Sequence, residues 1–184
     1  MGKIERLARS YEDYIRVPWQ QDVAPSQRVL YCIYDAHDEL RLRSMMAEFE
    51  LATQRADHQW VLCDLTDTFA GWLDGQKYAT SYFQRPELLT TLLPRYADAV
   101  IEQIGALVRE KAATPNAVVA LQGIGSLFGL SKVNPIVTRT APLVPGRFLV
   151  FFPGSCEKNN YRLLDAYDGW DYRAVPITVD NSTW

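Results

Sequence analysis

The sequence predicts an α/β fold: a mostly parallel central sheet of about five strands flanked by helices, preceded by an amphipathic helix. Three observations carry this reading. Short, continuously apolar runs of strand length recur along the chain, the mark of strands covered on both faces. Between them lie stretches whose apolar residues repeat at helical spacing. Strands separated by helices need crossover connections, which join parallel neighbours.

The elements follow in order. The opening MGKIERLARSYEDYIR (1–16) sets Ile4, Leu7, Ala8, Tyr11, Tyr14 and Ile15 on one face of a helix. Two prolines in VPWQQDVAPSQ then make a connector. RVLYCIYD (28–35) is the first strand. One helix is expected over 37–55, with Asp38 as its N-cap and a stripe of Leu42, Met45, Met46, Phe49 and Ala52. QWVLCDL (59–65) is the second strand, and Thr66 or Asp67 can cap a short helix that ends at Asp74-Gly75. Residues 77–94 read as helical pieces split at Pro86. A long helix over 95–113 lines up Ala97, Val100, Ile101, Ile104, Leu107 and Val108. NAVVALQ, GRFLVFF and DYRAVPI supply three more strands, the middle one bounded by turn signals at Pro145-Gly146 and Pro153-Gly154. The chain is expected to form a single domain over 1–184, with the helix at 1–16 and a sheet-and-helix core over 28–178.

Composition excludes several classes. The 184 residues are 48% hydrophobic and 22% charged, with a net charge of -3. That balance does not build a whole surface for nucleic acid, so direct nucleic-acid binding is not expected. No apolar run approaches the ~20 residues of a membrane span. The amino terminus lacks a secretory core, so a cytoplasmic location without membrane contact is expected. Cys32 and Cys63 lie in apolar runs, where a free cysteine acts as a small hydrophobe, and Cys156 lies in a polar stretch. With no CxxC pair and only His37 and His58, neither a metal nor a cofactor is expected.

Ligands of open parallel sheets bind beyond the strands' carboxyl ends. There the sequence places Asp35 with Asp38, Asp64 with Asp67, the turn Gly123-Ile124-Gly125-Ser126, and Gly154. Asp35, Asp64, Gly123, Gly125, Ser126 and Gly154 are therefore the candidate ligand-binding residues, although the same types cap helices and turn chains. No complete nucleotide motif is present. Phe128 stands where the dinucleotide fingerprint needs its third glycine, and no lysine follows at P-loop spacing. A nucleophilic Ser126 would need His37 and Asp35 beside it. Asp165 and Asp168 read as solvated turn residues, and Lys132, Arg139 and Arg147 as a modest basic cluster. Aromatic residues gather near the end of the chain, among them Tyr161, Tyr167, Trp170, Tyr172 and Trp184. With Arg162 and Arg173 they have the composition of an interface centre, and could equally pack as core. Arg162, Trp170, Tyr172 and Arg173 are the candidate partner-binding residues.

VVALQGIGSLFGLSKVNPIV, FLVFFPGSCEKNNYRLL and DYRAVPI resemble, in order, the C-terminal half of the BrxB family, a small component of BREX bacteriophage-defence systems. The positions that carry the resemblance are Gly123, Gly125, Ser126, Leu127, Phe128, Phe152, Pro153, Gly154, Leu163, Tyr172, Arg173 and Ala174. The N-terminal half matches by layout. The chain departs from the family pattern at SKVNPIVTRTAPLV and at PGSCEKN, where family members carry other polar residues. The resemblance implies a defence subunit without catalysis of its own, working with a phosphatase-like PglZ-type protein and a DNA methyltransferase. The competing expectation is a nucleotide- or phosphate-binding enzyme or sensor using the rim around Gly123–Ser126.

Overall fold

The structure is a computed structural model that describes residues 2–170 and 173–179, with only the backbone of Trp170. Seven helices and seven strands are assigned among these residues. The helices are α1 (Lys3–Ile15), α2 (Glu39–Ser44), α3 (Met46–Arg55), α4 (Thr68–Asp74), α5 (Ala79–Gln84), α6 (Leu93–Lys111) and α7 (Val133–Thr140). The strands are β1 (Val29–Tyr34), β2 (Gln59–Asp64), β3 (Ala117–Gln122), β4 (Arg147–Glu157), β5 (Asn160–Leu163), β6 (Ala166–Trp170) and β7 (Val175–Ile177).

The α/β class holds, with seven strands in place of about five. Five of them run in the order β2-β3-β4-β1-β7, and each neighbouring pair is parallel. The far half of β4 continues past the sheet and forms antiparallel pairs with β5, which in turn pairs with β6. The Pro153-Gly154 turn signal therefore does not end the strand. Pro153 lacks a backbone donor, but it sits where β4 leaves β1 (Tyr34↔Pro153) and takes up β5 (Gly154↔Leu163). The hairpin turns at Lys158 and Asn159, whose φ angles of 48° and 65° are those of a tight two-residue turn.

Alternation along the strands sorts two cores. Tyr31, Val119, Leu121, Phe148, Val150 and Phe152 face α6 and α7. Leu30, Cys32, Val118, Ala120, Leu149 and Phe151 face α1 and α3. The expected stripes do the covering: Ile4, Leu7, Ala8, Tyr11 and Ile15 of α1 are buried, as are Val100, Ile101, Ile104 and Val108 of α6. Each fully buried side chain of this size contributes about 1.5–3 kcal/mol. The α1–α3 contact also has a polar lock, the Tyr11 hydroxyl lying 2.6 Å from Thr53 Oγ1 inside the core.

Other local expectations change. Residues 36–55 form a 3₁₀ turn and two helices rather than one helix, and the cap comes from Asp35, which accepts from the His37 N–H, not from Asp38. Neither Thr66 nor Asp67 caps α4 through a side chain. Helix α7 is an element the sequence pattern did not announce. Its Pro135 lies in the first turn, where a missing N–H breaks no intrahelical bond. Its cap is supplied from a distance: the Asp168 carboxylate on β6 accepts the N–H groups of Val133 (3.0 Å) and Asn134 (3.3 Å). Asp168 is 5% exposed, so it is a buried capping residue and not a solvated turn.

Candidate functional site

The chain leaves β1 through α2 and α3 on one face of the sheet, then returns through α6 and α7 on the other. At their carboxyl ends β1 turns off into α2 while its neighbour β4 runs on into the β5–β6 hairpin, and a crevice opens between the two exits. A cleft of about 870 Å³ lies there, bordered by Asp35, His37, Gly154 and Cys156, with Lys3 and Arg6 of α1 opposite. Of the candidate ligand residues it gathers only Asp35 and Gly154. The Asp35 carboxylate accepts the His37 backbone N–H at 3.0 Å and lies 2.8 Å from His37 Nδ1. Those two contacts, the backbone one first, hold Asp35 below the usual carboxylate range. Gly154 has a packing role, because any Cβ there would overlap the Arg162 carbonyl of β5.

Asp64, Gly123, Gly125 and Ser126 belong to a separate knot at the ends of β2 and β3. Asp64 Oδ1 accepts from the Thr66 N–H (2.9 Å) and hydroxyl (2.5 Å), while Oδ2 accepts from Gln122 Nε2 (2.7 Å). Partial burial pushes the Asp64 carboxyl up, but those hydrogen bonds and the nearby Arg43 guanidinium outweigh it, leaving the pKa lowered. Gly123 has φ +76°, and a Cβ there would stand 2.7 Å from both Thr66 N and Oγ1. The Ser126 hydroxyl lies within donating distance of the Gly123 carbonyl (2.7 Å) and the Leu65 carbonyl (2.9 Å). The space in which a phosphate would meet the glycine turn is filled by Thr66 and Asp64. Ser126 is a tether between two turns, and its hydroxyl is spent on carbonyls rather than aligned with His37 and Asp35.

Sequence reasoning missed the network that joins this knot to β1. Tyr34 donates its hydroxyl to Glu39, Glu39 accepts from Arg43 Nε (2.7 Å), and Arg43 Nη2 donates to Thr66 Oγ1 (2.9 Å). The Glu39–Arg43 spacing of four residues and the Asp64-x-Thr66 pattern were the available signals.

The remaining candidates disperse. The basic cluster does not form: Arg139 pairs with Asp98 of α6 at 2.7 Å, and Lys132 lies 5.8 Å from the ring of Tyr167. Arg147 is buried at the amino-terminal end of the sheet, 4.7 Å from the ring of Trp19. His58 is at that end too, its ring stacked on Trp19 at 3.7 Å. The aromatics divide. Tyr161 is core, packed 5.4 Å from Tyr31, while Tyr167 is 53% exposed. Arg162 is exposed on β5, and Arg173 is exposed just before β7. Trp170 is placed only by its backbone in β6, and Tyr172 lies outside the described residues. Burial pushes the Cys32 thiol well up and that of Cys63 up to about 11, so neither is a thiolate at neutral pH. Among the described residues no group of three or more His, Cys, Asp or Glu could hold a metal ion, and no helix is long and apolar enough to cross a membrane.

No family model matches the chain, and no curated protein or solved structure is significantly similar to it.

Proposed function

We propose that the chain is a non-catalytic interaction subunit of a BREX-type antiphage defence system, and that it docks a PglZ-type partner. The observation that supports this most is the internal use of the strand-end groups. Asp64 is held by Thr66 and Gln122 Nε2, Thr66 and Asp64 fill the space beside Gly123, and the Ser126 hydroxyl is spent on carbonyls, which leaves that rim without a free serine or an open glycine cradle. What the same end of the molecule offers to solvent suits contact. Phe128 is 43% exposed and Tyr167 53%, with Lys132 beside Tyr167 and Arg162 on the adjacent strand. Aromatic residues and arginine are enriched at the centres of protein interfaces. The defence context and the identity of the partner come from the BrxB resemblance, which also makes the BREX methyltransferase a second partner.

Co-purification with a tagged PglZ-type protein from the same genome tests the reading. The untagged chain is expected to be retained, and Phe128→Glu combined with Tyr167→Glu to weaken retention at least tenfold. A chain that folds and is not retained by either the PglZ-type protein or the methyltransferase refutes it. Midpoint shifts with magnesium nucleotides would favour the enzyme or sensor instead.

A further inference from the structure

At the end of the sheet opposite the rim, two guanidinium groups are brought together. Arg28 ends the 3₁₀ turn that leads into β1 and Arg147 begins β4; with Val29↔Phe148 the first pair of the ladder, the two charges lie close enough to act on each other. Arg147 alternates with Phe148 and so lies on the side of the sheet that carries α1, under Trp19. Arg147 is 7% exposed, and no carboxylate oxygen lies within 4.0 Å of either arginine among the described residues. Their hydrogen bonds are few. Arg28 Nη1 donates to the Pro145 carbonyl at 3.0 Å, and Arg147 Nη2 reaches the Gln20 carbonyl at 3.4 Å. Three buried side-chain N–H donors have no acceptor: Trp19 Nε1, Arg28 Nε and Arg147 Nε. They are the only such nitrogens found among the described residues, and all belong to this one cluster.

Burying a charge is costly unless it is paired, and the half-buried like charge of Arg28 nearby adds to the cost for Arg147. The Trp19 ring covers one face of the Arg147 guanidinium and offsets part of that cost. It supplies no acceptor for the five N–H groups that each guanidinium carries. Burial depresses the Arg147 pKa; nearby Tyr14 works against this and Arg28 adds to it, and the net shift is downward. Water could accept from the free N–H groups but could not neutralise the pair. Planar guanidinium forks match oxyanions, which accept two parallel hydrogen bonds and bring the missing charge.

We infer that Arg28 and Arg147, with Trp19 as a cover, form a binding site for an oxyanion, a phosphate or carboxylate group, at the amino-terminal end of β1 and β4. The cover belongs to the segment 17–24, which has no helix or strand and whose Val17, Pro18, Gln20 and Gln21 are exposed. An anion therefore has one loop to pass. The site is independent of the proposed docking face, which lies at the opposite end of the strands.

The test is thermal and urea unfolding of the full chain in inorganic phosphate, sulfate and acetate, each compared with chloride at equal ionic strength. At least one oxyanion is expected to raise the midpoint in proportion to the logarithm of its concentration, while chloride does not. Phosphate and sulfate without acetate would identify a phosphate-type group, and acetate alone a carboxylate. Arg147→Met should abolish the response, and the milder Arg28→Gln should weaken binding by roughly tenfold, as loss of one charge-assisted pair predicts. Quenching of tryptophan fluorescence by phosphate in the unaltered chain gives a readout that needs no variant to fold. No oxyanion acting beyond chloride overturns the inference, as does a response that survives in both variants.

Discussion

Replacing Gly123 by alanine separates a packed turn from an open ligand cradle. Two costs are legible at this position. A non-glycine residue held at φ +76° costs about 1–2 kcal/mol. The new methyl also meets Thr66 N at 2.7 Å and Asp64 Oδ1 at 2.9 Å. Relieving such overlap against backbone costs about 1–3 kcal/mol. Reduced freedom of the unfolded chain returns about 0.4–1 kcal/mol. The net loss is therefore about 3 kcal/mol, a fall in Tm of roughly 6–12 °C for a chain of this size. Gly129 is the internal control. Its φ is +74° and nothing lies within 4 Å of its added Cβ, so Gly129→Ala should lose only about 1 kcal/mol. Urea denaturation followed by circular dichroism measures both. If the two variants agree within about 0.5 kcal/mol, the Thr66 loop does not close over Gly123, and the turn is open to a phosphate after all.

Two further perturbations address the polar supports. Asp168→Asn should destabilise by about 1–2 kcal/mol, because an amide in place of the buried carboxylate weakens the distant cap on α7; urea titration measures it, and a change below about 0.3 kcal/mol would contradict that role. For Asp64 the sign follows from a folded pKa lower than the unfolded one. Its contribution is full above the unfolded value of about 3.9 and disappears as pH falls through the lower folded value. Asp64→Asn should accordingly separate from the parent in urea midpoint at pH 7 and converge with it under acid, and a gap that stays constant with pH would refute the assignment.

Much of the fold was legible because periodicity is a local signal. The faces of α1 and α6, and the buried runs of β1, β3 and β4, follow from the spacing of single residue types. The β5–β6 hairpin was not. Pro153-Gly154 has the appearance of a stop, and only the partner strand shows that Gly154 is there to let the Arg162 carbonyl approach. Helix α7 was hidden by Pro135, and the acceptor at its amino end comes from Asp168, 35 residues away from Val133. The candidate site fared similarly. Sequence placed Asp35, Asp64, Gly123 and Gly154 at strand ends, but strand order decides which of them meet. With β3 and β4 lying between β2 and β1, Asp35 and Asp64 end in different places. Arg28 and Arg147 carry no pattern at all until the β1–β4 register brings their charges close enough to act on each other.

The placement of β1 between β4 and β7 has a consequence for how the protein is made. Both neighbours of this first strand are encoded late, so Val29 waits about 120 residues for Phe148, or roughly 6–24 s at ordinary rates of synthesis. Until then VLYCIY, every residue of which is buried in the finished fold, emerges from the ribosome without its sheet. Helix α1 can shield one side of it early, since α1 packs on β1 directly, but the other side has no cover before α6 and α7 exist. Chaperone demand during translation should therefore peak over the middle third of the chain, where the nascent protein is long enough to aggregate and still too short to close.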